Sequence, residues 1–258
     1  MVALKYVVFD LDETIGYFTE LSIIWGCLQT IYKVSGQKAF DELCYLFEKE
    51  YFRPGIFSTM NYLYSKSDTT RVVLYTNNNG SIQWINHIIS FLERRSRAPG
   101  LFHRIVPGFR PRLSGPHDRR TFEKTYAEIM RCANIPKNTK IIFFDDVSHP
   151  KMLHKNVTYI HVKPYSHSMC SSTIIDKLQK SYFNFINYSS ALYIRNCIRK
   201  YHHQYFEHMK HHGNTRITKT DIYIPLRRFL IGPKKTAKKR VNDKKNRTRK
   251  IIDSTFAI

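Results

Sequence analysis

The sequence predicts an α/β fold: a doubly wound parallel sheet with helices on both faces. Four short runs rich in β-branched and aromatic residues recur along the first two thirds of the 258-residue chain, at 4–9, 71–75, 140–144 and 157–162. Each run is almost continuously apolar, which is typical of strands covered on both faces. Stretches of helical periodicity separate the runs, and this alternation predicts parallel strands joined by crossover helices.

The elements follow in a simple order along the chain. Helices are predicted at 18–34, 39–50, 82–95 and 121–133. The basic segment 94–120 is broken by Pro and Gly and is therefore predicted to be a loop. Between 14 and 53 there is room for two short helices.

Three regions follow from the distribution of apolar and charged residues. Residues 1–172 form the predicted α/β domain, and 173–232 form a basic, amphipathic helical extension. Apolar side chains recur there at helical spacing, and the apolar segment 223–231 is expected to pack back on the domain. Residues 233–258 form a basic tail with almost nothing to bury, which we expect to be disordered in isolation.

The charge is concentrated towards the end of the chain. The whole chain carries 42 Lys and Arg against 20 Asp and Glu, a net charge of +22, and ten of the seventeen residues from 234 to 250 are basic. A block this dense favours an electrostatic tether to nucleic acid or another polyanion, or a nuclear-import signal, over a merely solubilising tail. The predicted tether residues are Lys234, Lys235, Lys238, Lys239, Arg240, Lys244 and Lys245.

Several classes of protein are disfavoured by composition. No run approaches the ~18 apolar residues of a membrane span, so no membrane partner is expected. The first residues lead directly into a predicted strand, without the pattern of a secretory signal. The five cysteines are widely spaced, with no C-x-x-C pair, which suits a reducing compartment. An intracellular protein, nuclear or cytoplasmic, is therefore expected; the oligomeric state is left open.

Polar residues follow three of the predicted strands. Asp10 and Asp12 follow the first, Thr76 and Asn77 the second, and the pair 145–146 (Asp-Asp) the third. In an open parallel sheet, ligands bind outside the carboxyl ends of the strands, where these side chains should converge. An Asp after a strand is often only a helix cap. Several carboxylates brought together repel one another unless a cation neutralises them, and oxygen ligands favour Mg²⁺.

The same residues resemble the haloacid-dehalogenase (HAD) superfamily. Asp10-Leu11-Asp12-Glu13-Thr14 is similar to its first motif, Thr76-Asn77 to its second, and Asp145-Asp146 to its fourth. The third motif is a lone lysine, and Lys124, at the start of a predicted helix, is the best-placed candidate. The four motifs occur in the family's order, and the core that they imply covers about two thirds of the chain. The resemblance implies a Rossmann-type sheet with a minimal cap.

Further wording resembles the phosphatases that act on the C-terminal domain of RNA polymerase II. Asp-Leu-Asp-Glu-Thr is typical of that branch, and Arg53-Pro54-Gly55 and Phe102-His103-Arg104 are similar to segments of it. Gly16 departs from the branch, and Thr76-Asn77 is the general superfamily form. The abundance of Lys, Asn and Tyr is typical of an AT-rich genome, such as that of a large DNA virus.

The resemblance implies a phosphatase mechanism. Asp10 would be the nucleophile that forms an aspartyl-phosphate, and Asp12 the general acid and base. Thr76, Asn77 and Lys124 would bind the phosphoryl oxygens. The resemblance gives Mg²⁺ as the cofactor, and its ligands would be the carboxylate of Asp10, the carbonyl of Asp12, and Asp145 or Asp146.

The expected substrate is a phosphorylated macromolecule, such as a phosphoprotein, because no large cap closes the site. A polynucleotide end is the first alternative, because a chain of +22 attracts polyanions. A non-catalytic HAD-type scaffold that binds nucleic acid is the second.

Two further features of the extension remain open from the sequence. Five histidines crowd the stretch from 202 to 212, where metal binding is less expected than a basic helix face. Aromatic residues interleave with Lys and Arg, which favours packing against the core over stacking with nucleic-acid bases.

Overall fold

Five parallel strands form one sheet in the computed structural model of the chain. The described residues are 4–111, 115–210 and 217–232, and the side chains of 204–210 are not described. The strands are β1 (Lys5–Phe9), β2 (Thr70–Tyr75), β3 (Phe102–Val106), β4 (Lys140–Asp145) and β5 (Val157–His161). They lie in the order β3-β2-β1-β4-β5, and helices flank the sheet. The predicted α/β class with a parallel sheet is confirmed.

Helices occupy most of the segments between the strands. Their bounds are α1 (Thr19–Tyr32), α2 (Gln37–Leu46), α3 (Glu48–Tyr51), α4 (Ile56–Tyr64), α5 (Ile82–Arg95), α6 (Tyr126–Cys132), α7 (Ser171–Gln179), α8 (Tyr188–Lys210) and α9 (Thr220–Ile231). A short 3₁₀ turn, Pro150–Met152, lies between β4 and β5.

Alternate residues of the central strands enter two separate cores. Val7 and Phe9 of β1 face the larger core, which includes apolar residues of α1, α2, α5, α7, α8 and α9. Tyr6 and Val8 face the smaller core, which includes Ile129 of α6. Successive side chains of a strand point to opposite faces, so a strand with apolar residues at every position is covered on both.

The strand order fixes where a site can form. From β1, the chain adds β2 and β3 on one side and then returns to add β4 and β5 on the other. Val7 pairs with both Val72 and Ile142, so β1 is hydrogen-bonded to β2 and to β4. The order reverses between β1 and β4, and ligands bind at such a switch point, outside the carboxyl ends of the strands.

One predicted loop contains a strand. The segment 94–120 was expected to lack regular structure, yet β3 lies inside it and pairs with β2 at the edge of the sheet. The reason is its pattern: His103 is exposed and Arg104 half-buried, because an edge strand needs fewer apolar residues than a central one. The continuous apolar signal of a buried strand is therefore missing.

Two predicted helices differ from those observed. The predicted helix 121–133 begins only at Tyr126, because extended Thr125 is its N-cap and accepts a hydrogen bond from Glu128 N. Lys124 therefore precedes the helix rather than starting it. The predicted helix 39–50 is divided into α2 and α3 at Phe47, whose backbone leaves the helical conformation.

The C-terminal helices pack onto the larger core. Ile194 and Ile198 of α8 are buried in it, whereas Leu192, which shares their apolar pattern, is exposed. The apolar segment 223–231 lies in α9, and Lys5 Nζ donates hydrogen bonds to the carbonyls of Phe229 (2.9 Å) and Leu230 (2.8 Å). A boundary at residue 172 stays a prediction, and the core is continuous across it.

The exposed surface of the extension is partly aromatic. Phe183 and Tyr201 are buried as predicted for core packing, whereas Tyr182, Phe185 and Tyr188 are exposed. None of the helices in the described ranges is both long and apolar enough to cross a lipid bilayer.

Candidate active site

The carboxyl ends of β1, β2 and β4 bring the predicted site residues together. Asp10 follows β1, Thr76 follows β2, and Asp145 is the last residue of β4. These three side chains line one cavity of about 290 Å³, together with Asp12, Asn77, Lys124 and Asp146. Neighbouring parallel strands end at the same edge, so sheet topology alone places residues far apart in sequence side by side.

Lys124 lies at the centre of this site. Its Nζ donates hydrogen bonds to Asp10 Oδ1 at 2.5 Å and to Asp145 Oδ2 at 2.7 Å, and its side chain is only 2% exposed. Burial lowers the pKa of Lys124, but the charges of Asp10 and Asp145 outweigh it and hold the pKa above its usual value. The buried ammonium is therefore charged and shared by two carboxylates.

Three carboxylates form a group that can hold a cation. One carboxylate oxygen from each of Asp10, Asp145 and Asp146 lies within 4.8 Å of the other two. The Thr14 hydroxyl donates to Asp146 Oδ1 at 2.9 Å, and His149 Nε2 lies 3.4 Å from Asp145 Oδ2. Lys124 donates to Asp10 and Asp145, whereas Asp146 accepts from the neutral Thr14 hydroxyl, so the ammonium compensates two of the three carboxylates directly.

The pKa values of Asp145 and Asp146 are shifted in opposite directions, because His149 and Lys124 stabilise the charge of Asp145 directly. Burial and the charge of Asp10 raise the pKa of Asp146 to about 7. Burial also acts to raise the pKa of Asp145, but hydrogen bonds from His149 and Lys124 outweigh it and lower that pKa. A bound cation would favour the ionised forms. An all-oxygen set around uncompensated charge fits a hard divalent cation.

The carboxylate of Asp12 lies apart from this group. Asn78 Nδ2 donates to Asp12 Oδ2 at 2.7 Å, and burial with the nearby charge of Asp10 raises the pKa of Asp12 to about 7. Glu13 next to it has a left-handed backbone, with φ of 56°. Asp12 therefore lines the cavity next to the three carboxylates that can hold a cation. A carboxyl group placed there can exchange a proton with a bound molecule.

The segment after β2 is fixed by a buried arginine. Arg119 Nη1 donates to the carbonyl of Thr76 at 2.9 Å and to Asn77 Oδ1 at 2.5 Å, and its guanidinium lies over the ring of Tyr75 at 4.8 Å. The Thr76 hydroxyl accepts from Asn78 N at 3.0 Å. Asn77 is therefore held by Arg119, and the Thr76 hydroxyl lies at the cavity wall.

A second buried arginine supports the turn after β1. Arg53 Nε donates to the carbonyl of Thr14 at 2.5 Å, and Nη2 donates to those of Glu13 (2.7 Å) and Lys163 (2.5 Å). Gly16 closes the same turn, because a Cβ there would lie 2.3 Å from the carbonyl oxygen of Tyr51. This close approach is the physical reason for a glycine at position 16.

Sequence reasoning missed four residues that orient the site. Asn78 holds Asp12, Thr14 holds Asp146, His149 contacts Asp145, and Arg119 holds the segment after β2. Thr14 ends the run that begins at Asp10, and Asn78 directly follows Thr76-Asn77, so the sequence indicated both segments. Arg119 carried no signal, because it is one basic residue in a basic segment.

The predictions for the tether and for most of the histidine cluster concern residues or side chains outside the described part of the chain. The tether residues Lys234 to Lys245 lie outside the described residues, as do the side chains of the histidines beyond 203. His202 Nε2 lies 2.6 Å from Glu20 Oε1 and 2.9 Å from Ser168 Oγ, which joins α8 to α1. This histidine holds two helices together.

No family model matches the chain, and no curated protein is significantly similar to it in sequence. Function is therefore inferred from the chemistry and geometry of the site.

Proposed function

We propose that this chain is a Mg²⁺-dependent phosphatase of the HAD type, which hydrolyses phosphomonoesters through an aspartyl-phosphate on Asp10. The observation that carries the proposal is the sharing of buried Lys124 Nζ between Asp10 and Asp145, at the switch point of the sheet. Asp12 and Thr76 line the same cavity. A nucleophile, a proton donor and a buried positive charge at one cavity are what phosphoryl transfer requires.

In the first step, a carboxylate oxygen of Asp10 forms a bond to phosphorus while the bond from phosphorus to the leaving oxygen breaks. Protonated Asp12 donates its proton to that leaving oxygen, so the alcohol departs neutral. The Thr76 hydroxyl and the Lys124 ammonium stabilise the charge on the phosphoryl oxygens. The enzyme then carries a phosphate on Asp10 and an ionised Asp12.

In the second step, a water oxygen bonds to phosphorus while the bond to Asp10 breaks. Asp12 accepts the proton of the water and returns to its starting state, and inorganic phosphate is released. Asn78 keeps the carboxyl of Asp12 in place through both steps. Each step therefore has one carboxyl for the bond to phosphorus and another for the proton.

The cation group supports Mg²⁺ as the cofactor. Asp10, Asp145 and Asp146 would hold it, together with the backbone carbonyl of Asp12 that the family resemblance implies. When bound, Mg²⁺ neutralises charge on the carboxylates and on the phosphoryl group.

Two classes of substrate are proposed for this site. The four helices between β1 and β2 pack into the larger core, which supports an open site and a phosphorylated macromolecule such as a phosphoprotein. A nucleotide or polynucleotide end is the second candidate, and the net charge of +22 favours it.

The decisive experiment is hydrolysis of p-nitrophenyl phosphate by the full chain. We expect turnover with Mg²⁺, loss of turnover in EDTA, and loss of turnover in Asp10→Asn with an unchanged circular dichroism spectrum. Acid quenching should trap labelled phosphate on the native chain and none on Asp10→Asn. Asp68→Asn is the matched control, because Asp68 is exposed at a turn before β2.

Full turnover by Asp10→Asn, or in EDTA, would contradict the mechanism. Absence of turnover with phosphopeptides, nucleotides and aryl phosphates alike, alongside tight binding of nucleic acid, would instead support the non-catalytic scaffold.

A further inference from the structure

A second cavity, of about 390 Å³, lies beside the catalytic one and shares two residues with it, Asp12 and Asn78. One wall is formed by α1 and the residue before it. The other wall is formed by the segment after β2 and the first turns of α5. The shared residues make the two cavities neighbours at the carboxyl edge of the sheet.

The lining of this second cavity combines aromatic rings with neutral polar groups. Phe18, Trp25, Trp84 and His87 are almost fully buried. Gln29 and Gln83, one in each wall, are exposed, and Thr19, Ser22 and Ser81 add hydroxyl-bearing residues to the lining. The rings make part of the lining apolar, and the amides offer a donor and an acceptor side by side.

No Lys or Arg is among the described residues that line this cavity, although the chain carries 42 of them. Asp12 is the single carboxylate among the described residues of the lining, and burial holds the pKa of His87 below its usual value, which favours the neutral ring. Among the described lining residues no side chain is positively charged, so the lining offers a phosphate group less than it offers a neutral group. The cavity therefore suits an uncharged group.

Asp12 connects the cavity to the reaction. In the proposed function, Asp12 gives its proton to the leaving oxygen, so whatever is bonded to that oxygen must extend past Asp12. The second cavity begins at this carboxyl. Its occupant is therefore part of the leaving group of the substrate.

We propose that the second cavity binds the nucleobase of a nucleotide whose terminal phosphate is removed at Asp10, an inference that rests on the proposed phosphatase function. A nucleobase is uncharged, flat and aromatic, and its edge carries donors and acceptors that glutamine amides recognise. Its source is either a free nucleoside monophosphate or the end of a polynucleotide.

The dimensions favour one nucleoside over a peptide segment. The volume lies near the lower end of the ~300–1,000 Å³ that small-molecule sites occupy, so the cavity suits one compact group. A terminal nucleotide needs only one phosphate at the catalytic site. In a polynucleotide the next phosphate would lie outside, and Arg110, which donates to the carbonyl of Gly80 at 2.6 Å, is at that rim.

The two tryptophans of the chain, Trp25 and Trp84, both line this cavity, so their fluorescence reports its occupancy without any turnover. The full chain is titrated in EDTA with a nucleoside monophosphate, the free nucleoside, ribose 5-phosphate and a phosphoserine peptide without aromatic residues. N-acetyltryptophanamide corrects for light absorbed by the base. We expect saturable quenching by the nucleotide and the nucleoside, and none by ribose 5-phosphate.

Gln83→Ala should weaken nucleotide binding by about tenfold, the effect of one lost hydrogen bond. It should also lower the ratio of kcat/KM for the nucleotide to that for methyl phosphate. Asn184→Ala is the matched control, because this exposed amide lies between α7 and α8 and lines neither cavity. Tighter binding of a terminally phosphorylated oligonucleotide than of the same oligonucleotide without that phosphate identifies a chain end as the source, and equal binding of the two identifies the free nucleotide.

Equal quenching by ribose 5-phosphate, or quenching by the phosphopeptide but not by nucleotides, would overturn the assignment of the cavity. Turnover of aryl phosphate without nucleotide quenching would overturn it while leaving the phosphatase function intact. Saturable quenching with no turnover of any phosphomonoester would support nucleotide binding in the cavity but overturn the phosphatase function.

Discussion

Replacing Lys124 by Met removes the one positive charge that Asp10 and Asp145 share. The side chain is 2% exposed and that of Asp145 1%, so water cannot take over the role of the ammonium. Breaking a buried ion pair by removing one partner costs roughly 3–5 kcal/mol, because the remaining charge stays buried. We expect the free energy of unfolding of Lys124→Met in EDTA to fall by about that amount.

Urea unfolding in EDTA, followed by circular dichroism, measures this loss. The double variant Lys124→Met/Asp145→Asn should recover part of it, since one of the uncompensated charges is gone. Lys151→Met is the matched control: its ion pair with Glu123 is 65% and 61% exposed, and such pairs contribute below ~1 kcal/mol. Adding Mg²⁺ should stabilise Lys124→Met more than the native chain, because the cation then meets more negative charge.

A loss below ~1 kcal/mol for Lys124→Met, equal to that of Lys151→Met, would refute this reasoning. It would mean that the aspartates are neutral or hydrated in the folded chain. Lack of any Mg²⁺ stabilisation of the variant would separately remove the support for a cation at Asp10, Asp145 and Asp146.

Three further predictions follow from other parts of the chain. Gly108→Ala should lower the free energy of unfolding in urea by about 1–3 kcal/mol and reduce turnover, because the new Cβ would lie 2.8 Å from the carbonyl oxygen of Asn78. Gly26→Ala is the control and should not destabilise the chain, because the space around Gly26 is open. Burial lowers the folded pKa of His87, so the unfolded chain binds more protons: stability should fall as pH drops below about 6.5, and His87→Leu should flatten that slope. Truncation after Gly232 should reduce the salt dependence of nucleic-acid binding by about 0.7–0.9 in log–log slope per lost phosphate contact, without lowering turnover of p-nitrophenyl phosphate; an unchanged slope would contradict the tether.

The sequence by itself predicted the α/β class, the central strands and the edge of the sheet at which polar residues gather. Continuous apolar runs such as β1 and β4 are a local signal, because burial on both faces demands them. The residue after such a strand is then placed by topology. The convergence of Asp10, Thr76 and Asp145 could therefore be predicted without coordinates.

Tertiary structure alone decided the rest, because those features depend on partners that are distant in sequence. Strand β3 is an edge strand whose apolar signal was too weak, and Lys124 reaches Asp10 from the segment that precedes α6 rather than from a helix. Arg119 contacts Asn77, and Asn78 contacts Asp12, only in the folded chain, because the partners of each pair are distant in sequence. The cavity between α1 and α5 likewise depends on packing. The sequence of neither helix predicts it, because it forms only where the two helices lie side by side next to Asp12.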